Sequence, residues 1–104
     1  MIKHIVLLKL ANNITDIQIE SAMQKLHDLK NGLIPQIKSF THGKNCSIEN
    51  LHQGFNYGFI MGFENSSDRD YYVEHEAHKK IATEDILPMA EKGAESVVVL
   101  DFSE

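Results

Sequence analysis

An α+β fold in the ferredoxin-like βαββαβ order, an antiparallel sheet with both helices on one face, is predicted by three features of this 104-residue sequence. The stretches "MIKHIVLLKL" and "FNYGFIMGF" alternate with the two-residue period of strands. Between them lies a segment whose apolar residues recur at helical spacing. A β-branched run, "ESVVVLDF", supplies a final strand that reads as buried.

In the first strand, residues 2–10, Ile2, His4, Val6, Leu8 and Leu10 share one face, and Lys3, Ile5, Leu7 and Lys9 share the other. His4 is the only polar member of its face. Thr15 with Gln18 three residues on forms a capping box that opens a helix, whose inner side is Ile19, Ala22, Met23, Leu26 and Leu29 and whose stop is Gly32. Pro35 prevents its continuation, and Ile37 and Phe40 begin a second strand. The polar "CSIENLHQG" is a connection. The third strand puts Phe55, Tyr57, Phe59, Met61 and Phe63 on a bulky face, and Asn56, Gly58, Ile60 and Gly62 on a thin one. Ser67 is placed as the N-cap of a second helix running through Tyr71 and Tyr72 toward "EHEAH", with Pro88 and Gly93 punctuating the segment before the last strand.

Residues 1–104 thus form one domain, without repeats or linkers. If both helices cover one face of the sheet, the other, bearing Ile5 and Leu7, needs a cover. A second copy of the chain provides it, so the expectation is a homodimer with the two sheets facing each other as a dimeric α/β barrel. A net charge of −5 disfavours nucleic acid and anionic membrane as partners. The N-terminal apolar run is too short and too interrupted for a membrane span or export signal, and the single Cys46 suits a reducing compartment, so the expected location is cytoplasmic.

"KHIVLLKL", the "GF" entering the third strand, the "FE" closing it, "YVEHEAH" and "VVVLDF" together resemble the stress-responsive dimeric α/β barrel (Dabb) family over nearly the whole chain. The most specific element is a tyrosine three residues before a His-Pro-x-His motif, matched by Tyr72, His75 and His78, with Glu76 in place of the proline. The family includes a plant polyketide cyclase that closes a poly-β-keto thioester by an intramolecular aldol reaction without a cofactor. The resemblance implies that His4, Tyr72 and His78 are catalytic and that Tyr57, standing where the cyclase has a histidine, and His75 contact substrate. It also implies a carbonyl-rich or aromatic small molecule as ligand and no cofactor. The alternative is a dimer that binds a small molecule or serves in stress without catalysis.

The residue types suit such chemistry. Removing a proton α to a carbonyl needs a base, and the resulting enolate needs a donor; neutral imidazole and phenol fill these roles near neutral pH. Tyr72 and His78 are about 600° apart on a continuous helix, so one shared pocket requires a break between them. "HEAH" lacks the H-E-x-x-H spacing of a zinc protease helix, and no metal is expected. Glu74, Glu76, Lys79 and Lys80 read as a solvated face, and His27, His42 and His52 as surface residues. No phosphate-binding loop or serine nucleophile elbow is present.

Overall fold

The computed structural model describes residues 1–104. Strand β1 (Ile2–Leu8) is followed by helix α1 (Asp16–Lys30), strands β2 (Ile37–Lys44) and β3 (Tyr57–Phe63), and helices α2 (Ser66–Glu74) and α3 (Glu76–Ile81). A π-helical turn (Ala82–Ile86) and two short 3-10 turns then lead to β4 (Val97–Ser103). The sheet is wholly antiparallel in the order β2-β3-β1-β4, so the first and third strands are central and the last is an edge.

Helix α1 forms as its sequence dictates. Thr15 Oγ1 accepts from the Gln18 N–H while Gln18 Oε1 accepts from the Thr15 N–H, satisfying two donors that the first turn would leave open. Ile19, Ala22, Met23, Leu26 and Leu29 are buried against Val6, Leu8, Phe59, Met61 and Phe63 of the sheet. The helix closes at Asn31, one residue ahead of Gly32. Three other boundaries differ from expectation, the first being that β3 begins at Tyr57 and leaves Phe55 and Asn56 outside the strand. β1 ends at Leu8, and Leu10 instead forms an isolated bridge to Ala90. The N-cap of α2 is Asn65 rather than Ser67, because its side-chain oxygen lies 2.8 Å from the Asp68 N–H it accepts from.

The break between Tyr72 and His78 is present without a proline. His75 leaves the helical region with ψ 135°, and its ring Nδ1 accepts from the Ala77 N–H at 3.0 Å, capping α3. Glu76 therefore occupies the first position of a helix, where proline is favoured elsewhere and where a carboxylate is also stabilising.

The final strand is not buried in the protomer. Val99 is 56% exposed and Leu100 55%, since the helices do not pack directly on the β4 edge and nothing covers the sheet from below. On that lower face Leu7, Ile60, Val98, Leu100 and Phe102 form an uncovered apolar surface, set by the register that pairs Ile5 with both Ile60 and Leu100. No helix is long and apolar enough to cross a membrane.

Candidate active site

Between the β4 edge and the second helical layer lies a cavity of about 450 Å³. Its apolar wall includes Val6, Leu26, Phe59, Ile86, Val97 and Val99, and its polar end carries His4, Tyr72, His78, Arg69, Asp70 and Asp101. Strand β1 contributes His4, helix α2 contributes Tyr72, and α3 contributes His78.

Because the chain turns at His75, α3 brings His78 back over Tyr72, and their ring centroids are 4.3 Å apart. The His4 ring lies 5.8 Å from Tyr72 in an edge arrangement, so both imidazoles lie against the phenol ring. Tyr72 is 1% exposed, yet its hydroxyl makes no hydrogen bond within the protein. Gln36 Oε1 is the one fully enclosed side-chain polar atom without a partner, so the Tyr72 hydroxyl retains access to the cavity it lines. A buried hydroxyl costs free energy when unpaired, and one left open toward a cavity is a donor held ready for a ligand.

Both imidazoles are oriented by their Nδ1 atoms. His78 Nδ1 lies 3.0 Å from the Val73 carbonyl, an atom that only accepts, so Nδ1 carries the proton and Nε2 is the basic nitrogen of the neutral ring. His4 Nδ1 lies 2.8 Å from Asp101 Oδ1, and the carboxylate imposes the same tautomer. Asp101 Oδ2 accepts in turn from Arg69 Nη1 at 2.8 Å, and Arg69 Nε donates to Asp70 at 2.8 Å. Neither Nε2 has a protein partner.

Burial divides the chemical roles. It lowers the pKa of His78, assisted by the nearby His4 and Lys79 and opposed by the bond to Val73, which keeps the ring neutral and able to take up a proton. Burial also raises the Tyr72 phenol well above its ordinary range, so it remains protonated and donates. The two carboxylates beside Arg69 hold its guanidinium firmly charged.

The other expected contacts lie elsewhere. His75 caps α3, packs against the Tyr71 ring at 5.5 Å, and does not line the cavity. Tyr57 is buried on the helix side of β3 but near its start, where its hydroxyl lies 2.6 Å from His42 Nδ1, away from the cavity lining. Burial raises its pKa as well. Asp101 and Arg69 were not singled out from the sequence. The available signal was that Asp101 is the lone charge within "VVVLDF", as His4 is the lone polar residue on its face; cross-strand register places the two opposite each other. Arg69 carried no comparable signal.

The stress responsive A/B barrel domain matches residues 2–104. Stress-response A/B barrel domain-containing protein HS1 of Arabidopsis thaliana is 37% identical over 82 residues, covering 79% of this chain and 74% of that protein. Olivetolic acid cyclase of Cannabis sativa is 30% identical over 77 residues, covering 74% of this chain and 75% of the cyclase. Among solved structures, a dimeric ferredoxin-like protein of unknown function from a Jannaschia species superposes with a TM-score of 0.88 at 25% identity, covering 99% of this chain and 98% of that one. With a domain match over nearly its full length and a fold shared with such proteins, this chain belongs to the stress responsive A/B barrel domain (Dabb) family.

Proposed function

We propose that the chain is a homodimeric, cofactor-independent enzyme of acid–base chemistry on a small carbonyl compound. The observation that carries this is the Tyr72 hydroxyl on a buried side chain, unpartnered in the protein, with two imidazoles packed against its ring whose Nε2 atoms are also free. In this reading a substrate carbonyl oxygen accepts from Tyr72 while His78 Nε2 removes a proton from the α carbon. The C–H bond breaks, its electron pair passes into the enolate, and the proton resides on His78 as imidazolium. An aldol closure would follow by attack of the enolate carbon on a second carbonyl of the same molecule, with the new alkoxide reprotonated from imidazolium. His4, held by Asp101 and in contact with the phenol ring, is suited to hold or return a proton as a second imidazole of the site. The aliphatic wall would take an alkyl or aromatic portion of the substrate.

Support comes from the cyclase relative and from the matching positions of His4, Tyr72 and His78. The dimer is supported by the uncovered apolar face and by the dimeric neighbour of the same fold. A non-catalytic ligand-binding role in stress is the second reading, favoured by the similarity to HS1.

Exchange of α protons for deuterium separates the two. A panel of methyl ketones and β-diketones is incubated with the protein in D2O and followed by proton NMR. The enzyme reading expects exchange faster than in buffer, slowed by about a hundredfold or more in Tyr72→Phe and His78→Ala. Tyr72→Phe should meanwhile keep its thermal stability, since no protein hydrogen bond is lost. Binding without accelerated exchange would establish the second reading.

A further inference from the structure

We infer that the cavity selects uncharged carbonyl compounds and rejects the corresponding carboxylates, because its polar end sets two carboxylates against one guanidinium. The inference rests on the carbonyl-binding reading above and adds the charge class of the ligand. Arg69 is the only permanently cationic side chain in the lining, and it is already engaged twice: Nε with Asp70 and Nη1 with Asp101, each at 2.8 Å. Asp101 is further tied to His4, which fixes that carboxylate against the cavity wall.

A ligand carboxylate could still reach the remaining N–H groups of Arg69, but it would do so beside Asp70 and Asp101. It would also lose hydration against the buried side chains of Val6, Leu26 and Phe59, where an unpaired charge is costly. A ketone oxygen requires only a donor. The Tyr72 hydroxyl, open to the cavity on an otherwise buried side chain and unbonded, is such a donor and brings no charge that would reward an anion.

Two probes of matched shape test this. 4-Phenylbutan-2-one and 3-phenylpropanoate differ in a methyl group exchanged for a charged oxygen. Each is titrated into the 104-residue chain at about pH 8.5, above the ordinary imidazole range. Binding is read from the backbone amide resonances of Val73, His78 and Val99. The expected result is that the ketone binds on the order of tenfold more tightly than the carboxylate. Asp70→Asn, which removes one charge at an exposed position, should reduce that preference by about threefold. Equal affinities in the wild type, or a preference untouched by Asp70→Asn, would overturn the charge selection while leaving the cavity a binding site. If neither probe shifts those amides, the carbonyl-site reading falls and the charge selection with it.

Discussion

Replacing Glu76 with proline tests directly how the chain assembles this site. In a continuous helix from α2 through α3, an interior proline would clash with the preceding turn and remove a hydrogen bond, at a cost of about 3 kcal/mol or more. The observed backbone removes both penalties. His75 has φ −70° and ψ 135°, the extended conformation that a residue before proline prefers, and Glu76 is the first residue of α3, whose N–H has no intrahelical partner. The losses are then small. The Glu76–Lys79 pair is 3.8 Å long with the Glu76 side chain 91% exposed, worth about 0–0.5 kcal/mol, and the carboxylate at the start of α3 adds about 0.3–1 kcal/mol. Restricting the unfolded chain returns about 0.4–1 kcal/mol. The net effect of Glu76→Pro is therefore within about 1 kcal/mol of zero, a shift in Tm of less than roughly 4–8 °C for a domain of this size. Thermal unfolding by circular dichroism, at matched protein concentration because a dimer's Tm depends on it, measures this. A fall of roughly 12 °C or more would refute the break at His75, and with it the proximity of Tyr72 to His78.

Asp101→Ala should leave the His4 Nδ1–H buried without its acceptor and lower stability by about 1–3 kcal/mol in urea unfolding; a change below about 0.5 kcal/mol would show that the ring does not depend on this carboxylate. Because burial lowers the folded-state pKa of His78 beneath its ordinary 6.5, the unfolded chain binds more protons between those values. The stability that His78 contributes by remaining neutral is thus full above about pH 6.5 and lost as the pH falls from there through the folded-state value. The drop in Tm between about pH 7.5 and pH 5 should accordingly be smaller in His78→Gln than in the wild type, and an equal drop would count against a buried neutral imidazole. Leu100→Glu places a charge in the middle of the uncovered sheet face and should yield monomers in analytical ultracentrifugation at micromolar concentration. A dimer unaffected by it would move the interface to another surface.

Local periodicity made much of the architecture legible. Alternation in "IKHIVLL" and "YGFIMGF" set the inner and outer faces of the central strands, and the Thr15–Gln18 box with the Ile19-to-Leu29 spacing set the first helix and its buried side. These patterns depend on neighbours two to four residues away, which the sequence displays directly. The family resemblance singled out His4, Tyr57, Tyr72, His75 and His78, of which His4, Tyr72 and His78 line the cavity and Tyr57 and His75 do not.

It was the tertiary structure that decided what those residues touch. His4 meets Asp101 across 97 positions of sequence through the β1–β4 register, and Arg69 reaches the same carboxylate from a different layer. Tyr57, although on the same face of β3 as Phe59, turns to His42 because it sits nearer the strand's start, away from the cavity. His75 acts on the backbone as a cap, so the turn that a proline would otherwise favour arises from a side-chain hydrogen bond. The order of the elements and the inner faces of the first helix and the central strands were determined by the sequence alone, because propensity and hydrophobic period act locally. The polar connections of the site required the fold, because strand register and the closing of one layer over another bring together groups that no local spacing relates.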